Sequence, residues 1–166
     1  MRLALALFIS VVIGFGLTSA KAASQTTQVL TRKQHHLRSG NQPEWEEFAK
    51  KKPEGTNLAL RFEAKANAAE QTLFIEQRNV KFEWAVRLNG TNLGKLFLME
   101  SPLVWTLRVP ARTLRDGENV LNITPPREND DILVGPITLD SRPPKAALGE
   151  STLHVQVREE GRLIPC

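Results

Sequence analysis

The chain contains few of the residues from which catalytic and cross-linked sites are usually built. Its 166 residues include one cysteine, three histidines and no tyrosine, and the cysteine is the last residue. A single thiol excludes an internal disulfide framework and a zinc site made of several cysteines. Because the histidines are one adjacent pair and the separate His154, the chain offers little material for acid–base or metal catalysis.

Catalytic sequence motifs are absent as well. The chain contains no Ser-x-x-Lys, Gly-x-Ser-x-Gly or His-Glu-x-x-His motif and no phosphate-binding glycine loop. His35 and His36 are neighbours, so their rings diverge in a strand or a helix and cannot hold one ion together. The carboxylates of Glu63, Glu76 and Glu83 are expected on outward faces of separate strands, where ion pairing is their expected role. We therefore predict a non-catalytic chain with no catalytic residues.

No apolar run reaches the roughly 20 residues that a membrane-spanning helix needs. Residues 3–17 are the longest such run; Arg2 precedes it, and small residues with the Ala-x-Ala spacing of a signal-peptidase site follow it. Residues 1–22 are therefore predicted to be a signal peptide cut after Ala22, and the protein to be secreted or periplasmic. An uncleaved N-terminal anchor is the alternative to cleavage.

Charge of one sign is not concentrated in the chain. The formal charge is +4, from 22 basic and 18 acidic residues, and removal of Arg2 and Lys21 with the signal peptide leaves 20 − 18 = +2. Acidic and basic residues alternate along the rest of the chain, and the only basic run is Lys50-Lys51-Lys52. Three lysines at the end of a short helical segment suit the helix dipole, so a nucleic-acid partner is not expected.

The mature chain has the composition of a globular domain, with 41% hydrophobic and 24% charged residues. Residues 23–42 are polar and aperiodic, which indicates a flexible lead or one poorly specified edge strand. Pro43 is followed by early acidic and late basic residues, which predicts a short helix with Trp45, Phe48 and Ala49 facing inward. Residues 23–56 are thus expected to be a lead and a helix, with Trp45 covering one end of the domain.

From Asn57 onward apolar and polar residues alternate with period two, which is typical of strands with one buried face. Trp84 and Trp105 share that period with apolar neighbours and are predicted to lie in the core. Asn89-Gly90 and Asp116-Gly117 predict tight turns. Eight strands are predicted: Asn57–Ala64, Gln71–Gln77, Phe82–Leu88, Leu93–Met99, Leu103–Val109, Asn119–Ile123, Asp131–Leu139 and Ser151–Val157. Short strands joined by short turns predict an all-β protein, an antiparallel β-sandwich.

Several segments resemble the galactose-binding-like jelly-roll domains, a fold that includes many carbohydrate-binding modules. They are Leu73–Val80, Trp84-Ala-Val-Arg-Leu-Asn-Gly90, Leu93-Gly94, Val109-Pro-Ala111, Leu114-x-x-Gly117-Glu-Asn-Val-Leu121 and Asp130-Asp-Ile132. The resemblance covers residues 57–140 and implies that the sandwich is a jelly roll. With the elements predicted above, the expected fold is a jelly-roll sandwich of about eight strands with one short N-terminal helix. The resemblance also implies glycan binding as a function.

The C-terminal residues resemble the first strand and hairpin of carboxypeptidase-regulatory-like domains, through Leu153-His-Val-Gln-Val157 and the following Arg158–Cys166. Glu159 stands where that pattern has Asp, and Gly161 comes one residue early. Residues 141–150, rich in proline and small residues, are predicted to be a linker, and residues 151–166 the start of a further β domain or a C-terminal strand. This architecture implies the front part of a longer secreted protein, with a PHP-type metallohydrolase as one such parent.

Four residues near exposed loops are the candidates for ligand binding: Trp45, Asn89, Asn92 and Arg127. A sugar ring needs an exposed aromatic surface with fixed polar groups around it, and outside the predicted core Phe74 and Phe97 are the exposed aromatic residues of the strands. No cofactor is predicted, apart from a structural calcium ion. Jelly rolls often carry one, and its candidate oxygen ligands here come from Asn129, Asp130 and Asp131; a simple turn before a strand is the alternative.

Three functions remain open on these grounds. The preferred one is an accessory β-sandwich module that packs against or presents other domains of a longer secreted protein. The alternative is a carbohydrate-binding module that recognises an extracellular glycan. An enzyme in its own right is the least favoured. A broad apolar face rimmed by charges would support the first, and an aromatic residue with convergent polar groups in one loop cluster would support the second.

Overall fold

The computed structural model describes residues 26–149 and two short strands at 158–159 and 162–163. The strands are β1 (Thr27–Thr31), β2 (His35–Arg38), β3 (Leu58–Ala64), β4 (Gln71–Arg78), β5 (Ala85–Leu88), β6 (Thr91–Lys95), β7 (Leu103–Val109), β8 (Gly117–Thr124), β9 (Asp131–Asp140), β10 (Arg158–Glu159) and β11 (Arg162–Leu163). One 3₁₀ turn (Glu46–Phe48) and one short helix, α1 (Pro144–Ala147), accompany them.

Two antiparallel sheets form a β-sandwich, which confirms the predicted fold class. The front sheet has the order β1-β9-β4-β7, with β2 also paired to β9, and the back sheet has the order β3-β8-β5-β6. The alternating strands turn their apolar rows toward each other, because each row loses contact with water only when it faces the other sheet. Trp84, Ile75, Leu121 and Ile123 are completely buried between the sheets.

The predicted strands match the observed ones closely where the alternation is regular. Leu103–Val109 is reproduced without change, and the strands predicted from Asn57, Gln71 and Asp131 differ by one residue at one end. The strand predicted as Asn119–Ile123 is longer at both ends and spans Gly117–Thr124. Two predictions were too long. β5 begins at Ala85 instead of Phe82, and β6 ends at Lys95 instead of Met99, because the residues beyond these points make other hydrogen bonds that are described below.

The hairpin between β5 and β6 follows the prediction. Asn89 and Gly90 both have positive φ, 51° and 86°, as a two-residue turn with the right twist requires. The side chain of Asn89 holds the turn in place: its amide donates to Thr113 O and Asn119 Oδ1, and its oxygen accepts from Val120 N. Asn89 therefore has a structural task at this end of the sandwich.

Of the two alternatives for residues 23–42, a flexible lead or a poorly specified edge strand, residues 27–38 show the edge strand. β1 and β2 both pair with β9, so this stretch is one edge strand with an interruption between Thr31 and His35. His35 and His36 are buried, not solvated: His35 Nδ1 lies 3.0 Å from Glu54 Oε2, and His36 Nε2 lies 2.7 Å from Asp131 Oδ1. Because polar partners on other segments satisfy these rings, hydropathy alone did not reveal the strand.

The segment after Pro43 is shorter and less regular than the helix predicted for it. It makes a single 3₁₀ turn, in which Phe48 is buried, Trp45 is half-buried and Ala49 is exposed. The prediction for Ala49 is therefore wrong. Arg38 Nη2 donates to Phe48 O, and the Phe48 ring stacks on His36 with centroids 4.3 Å apart, so this segment is packed against the edge strand.

The segment predicted as a linker contains α1, which contacts β4 and β7. Ala147 of this helix is buried, so residues up to this point belong to the sandwich. The predicted signal peptide, the strand predicted for residues 151–157, His154 and Cys166 lie outside the described residues. Among the described residues, no helix is long and apolar enough to cross a membrane.

Candidate functional site

One end of the sandwich collects most of the unusual side chains. In the front sheet the end of β4 lies beside the beginnings of β7 and β9, and in the back sheet the beginning of β5 lies beside the end of β6. Hydrogen bonds from Phe82 N to Asp130 and from Phe97 N to Gln77 join these ends of the two sheets. We call it the Asp131 end, after the buried carboxylate at the start of β9. The Asn89 hairpin lies at the opposite end, since β5 runs antiparallel to β8 with Ala85 beside Thr124 and Leu88 beside Leu121.

Asp131 is the centre of a buried polar network. Its carboxylate accepts two hydrogen bonds from Arg38 Nε, at 2.8 and 2.9 Å, one contact from His36 Nε2 at 2.7 Å and one from Glu44 N at 2.9 Å. Its carbonyl oxygen accepts from Trp45 Nε1 at 3.1 Å. Burial alone would raise the pKa of Asp131, but the hydrogen bonds from Arg38, Glu44 N and His36 hold it below its usual value. The network therefore fixes residues 36–45 onto the front sheet.

Asp130 occupies a different environment from its neighbour. Its Oδ2 atom accepts hydrogen bonds from Lys81 N, Phe82 N and Trp84 Nε1, at 3.2, 3.0 and 2.9 Å. Its Oδ1 atom is buried and has no partner in the described part of the chain. Burial raises the pKa of Asp130 to about 6; the N–H donors at Phe82 and Trp84 oppose this rise, and the neighbouring Glu44 carboxylate adds to it. Asp130 thus binds its proton more strongly than an exposed aspartate.

This shift predicts a pH dependence of stability. Between pH 3.8 and about 6 the native chain keeps the Asp130 proton that the unfolded chain has lost, so Asp130 makes the free energy of unfolding fall as the pH rises through this window. Asp130→Asn cannot ionise and keeps an oxygen that accepts from the N–H donors of Lys81, Phe82 and Trp84. Urea unfolding at a series of pH values measures the free energy of unfolding of Asp130→Asn and of the wild type. We expect the difference between them to change in favour of the variant as the pH rises from 3.8 to about 6, and to stay constant at higher pH.

The exposed Glu118, which pairs with Arg61 on the back sheet, provides the control for that experiment. Glu118→Gln removes the same charge from the exposed surface and is the matched control over the same window. If the free energy of unfolding of Asp130→Asn changed with pH in parallel with that of the wild type, Asp130 would titrate in the native state as it does in the unfolded chain.

The structure does not gather the candidate ligand residues into one site. Trp45 lies at the Asp131 end, where Lys81 Nζ sits 4.9 Å from the centre of its ring. Arg127 is exposed beside a groove of about 320 Å³ that Phe82 also lines. Asn89 and Asn92 lie at the far end; the Asn92 side chain accepts from Gly94 N. The four candidates therefore form two separate pairs, one at each end of the sandwich, and no single ligand site contains all four.

The three candidates for calcium ligation are also separated by their contacts. Asn129 is exposed, whereas the carboxylates of Asp130 and Asp131 are held by different sets of N–H donors. Within the described ranges, no group of three or more His, Cys, Asp or Glu side chains is arranged to hold a metal ion. A calcium ion at this turn stays a prediction.

An exposed apolar loop is the second feature of the Asp131 end. Residues 96–102 connect β6 to β7, and we call them the apolar loop. Phe97, Leu98 and Met99 are 40%, 54% and 40% exposed, and Val104, at the start of β7, is 54% exposed. Large apolar side chains adjacent on a surface mark interaction sites more often than single exposed ones do.

Hydrogen bonds hold this loop in a fixed conformation. The buried side chain of Gln77 accepts from Phe97 N and donates to Phe97 O, at 3.0 and 2.5 Å. Val80 N donates to Met99 O and Asn79 N donates to Glu100 O, both at 3.0 Å. These bonds account for the early end of β6, because the backbone after Lys95 turns toward β4. The apolar side chains are consequently presented on a rigid support.

Grooves and charges surround the apolar loop. A groove of about 360 Å³ lies between Val80-Lys81 and residues 98–101, and another of about 330 Å³ lies between the end of β4 and residues 102–104. Ion pairs join Lys81 to Glu44, Arg78 to Glu47 and Lys95 to Glu83 around it. Glu76 and Glu100 are exposed and form no salt bridge within the described residues. The face is thus apolar with an acidic margin.

The three tryptophans offer little free ring surface. Trp84 is completely buried, as predicted. Trp105 faces inward, as predicted, but is only half-buried because β7 is an edge strand. The Phe97 ring lies on Trp105 with centroids 4.8 Å apart, and Trp105 Nε1 donates to Lys95 O. Phe97 is therefore the exposed aromatic ring of this end.

Comparison with known proteins adds no assignment. No protein-family model matches the chain, and no curated protein matches it. The resemblances to galactose-binding-like and carboxypeptidase-regulatory-like domains stay predictions on the residues quoted for them.

Proposed function

We propose that the chain is a non-catalytic accessory module of an exported protein, and that it packs against a larger partner domain through the apolar loop. The observation that supports this most strongly is the exposure of Phe97, Leu98 and Met99 on a backbone fixed by hydrogen bonds. A rigid surface loses little conformational entropy when it docks, so such a loop suits a lasting contact between domains.

The chemistry of the partner follows from the margin of this face. Glu76 and Glu100 flank the apolar side chains, so the matching surface has an apolar centre with lysine or arginine at its edge. The grooves on both sides of the loop provide room for side chains of that surface. Another domain of the same exported protein is the proposed partner.

Crosslinking from the apolar loop tests this proposal in the producing cell. A photoreactive residue at Leu98 is expected to give an adduct with one defined exported domain, and the same residue at Arg87, exposed on the back sheet, is expected to give none. With the purified partner, Leu98→Asp should weaken binding at least about tenfold, as for a central residue of an interface. Equal adducts from both positions, or binding unaffected by Leu98→Asp, would refute the docking surface.

The glycan-binding alternative rests on the Phe97 ring. If the module binds an extracellular glycan, Phe97→Ala should abolish that binding while the melting temperature stays close to that of the wild type. The same substitution is expected to weaken docking less than Leu98→Asp does, because the Phe97 ring already lies against Trp105. Binding of a defined oligosaccharide, measured by calorimetry, separates the two functions.

A further inference from the structure

The β7 edge of the front sheet has no bulge, proline or glycine to protect it, although α1 contacts β7 as well as β4. Within the described residues β7 pairs only with β4, over seven consecutive residues and without a register shift. It contains no proline or glycine, and its one charged residue is Arg108. A regular, apolar, unpaired edge is a template for pairing with another strand.

The other three edges are better protected. The β1–β2 edge is interrupted where its register against β9 shifts. β6 has a register shift against β5 and contains Gly94 with φ 131°. β3 is regular, but it carries the exposed charged residues Arg61 and Glu63. Bulges and charges of this kind hinder edge-to-edge pairing, so β7 is the edge best suited to accept a strand.

We propose that β7 pairs with β7 of a second copy of this chain, antiparallel and about a two-fold axis at Thr106. This register uses all seven residues of both strands. It places Leu103 opposite Val109 and Trp105 opposite Leu107 on the inner face, so every inner pair is apolar. It places Val104 opposite Arg108 on the outer face. Such a self-complementary contact closes after two subunits and joins the two front sheets into one.

Charge complementarity supports a second copy of the chain as the partner of β7, and it supports this register. In one copy Glu76 lies beside Val104 in the outward row of β4 and β7. In the dimer Arg108 of the second copy comes next in the same row, about 9.6 Å from Glu76 measured between strands at the usual spacing of about 4.8 Å. An arginine stem can cover Val104 and bring its guanidinium to the Glu76 carboxylate. Neither Glu76 nor Arg108 forms a salt bridge within the described residues of its own copy.

The proposal does not rest on the docking partner, although Glu76 and Val104 border both surfaces, and it adds a geometric consequence. Since the paired strands are antiparallel, the two apolar loops, which precede Leu103 in each copy, would lie at opposite ends of the shared β7 pair. A dimer would therefore present two docking faces to partner domains. Loss of the docking activity with an intact dimer, or the reverse, separates the two proposals.

Cysteine crosslinking tests the position of the axis. In the full chain carrying Cys166→Ser, Thr106→Cys places two thiols at directly opposed positions, about 4.5–5.5 Å apart between Cα atoms, which a disulfide can span. Val104→Cys is the matched control: its counterpart in the second copy lies about four residues, or roughly 13 Å, further along the strands. We expect at least tenfold more reductant-sensitive dimer from Thr106→Cys than from Val104→Cys.

Charge exchange tests the register in solution. The chain with Cys166→Ser should form dimers by sedimentation at concentrations on the order of 100 µM. Glu76→Arg should weaken dimerisation about tenfold, because the dimer contains two such pairs, and Arg108→Glu in the same chain should restore it. Circular dichroism of each variant as a monomer checks that it folds.

Four results would overturn the proposal. The chain could remain monomeric at these concentrations, the two cysteine variants could crosslink equally, or the double charge variant could fail to recover. A fourth is that truncation after Gly149 creates dimers that the full chain does not form, which would show that a segment of the same chain covers the β7 edge.

Discussion

Replacing Asp131 by alanine is expected to lower the free energy of unfolding by about 3–5 kcal/mol, since it removes one partner of a buried charged pair. Arg38 and His36 would lose the carboxylate that faces them, and Glu44 N its acceptor. Arg38 is 9% exposed, so water could replace the lost hydrogen bonds only in part. Urea unfolding of the variant and the wild type at pH 7 measures the difference.

The pH dependence of that difference has a defined sign. Because the native pKa of Asp131 is lowered, its contribution to stability is present above 3.8 and is lost as the pH falls through the native value. The difference in the free energy of unfolding between the wild type and Asp131→Ala should therefore become smaller as the pH falls through the native pKa of Asp131. Glu118→Ala, which breaks an exposed ion pair with Arg61, is the matched control and should cost less than about 1 kcal/mol. Equal losses for the two variants would show that the Asp131 network is dispensable.

The regular strands could be predicted because their signal is local. Alternation along Leu103–Val109 and around Leu121 and Ile123 shows directly which residues face the other sheet, and Asn89-Gly90 fixes one register. These features need only the period of a strand and the φ values of a turn. The fold class follows from them without knowledge of any distant contact.

The first edge strand is predicted only as an alternative to a flexible lead, because its burial depends on distant partners. His36 and Arg38 look like surface residues in the sequence, and they become buried through Asp131, which is 93 positions away from Arg38. No periodic pattern marks such a pair in a single sequence. The same holds for Gln77, whose side chain holds the apolar loop 20 positions further along.

The sequence contains a weak indication of the apolar loop, but the strand prediction includes these residues in a strand. Leu96, Phe97, Leu98 and Met99 are consecutive apolar residues, and such a run cannot alternate between a buried and an exposed face. It was assigned to a strand ending at Met99, whereas the structure buries Leu96 and exposes the following three side chains. A break in alternation next to Glu100-Ser101-Pro102 was therefore the available indication of an exposed loop.

Replacing Trp84 by alanine is the second substitution with a large expected effect, a loss of about 3–5 kcal/mol in the free energy of unfolding. The indole is completely buried between the sheets, and it donates a hydrogen bond to Asp130 Oδ2. The carbonyl oxygen of Trp84 also accepts a hydrogen bond from Leu96 N at 2.9 Å. A cavity that collapses at Trp84 would therefore disturb Leu96, the first residue of the apolar loop. Denaturant unfolding followed by circular dichroism measures the loss without relying on tryptophan fluorescence.

Two further variants separate the causes of that loss. Trp84→Phe keeps most of the apolar volume and removes the indole donor, so it should cost about 1–2 kcal/mol. Trp105→Ala removes a ring that is only half-buried at the β7 edge, and it should destabilise the chain less than Trp84→Ala does. If Trp105→Ala proved the more costly, the Phe97–Trp105 contact would contribute more to the core than its exposure indicates. The apolar loop would then be part of the folding unit, and its side chains would be held outward by packing on Trp105 as well as by the hydrogen bonds to Gln77.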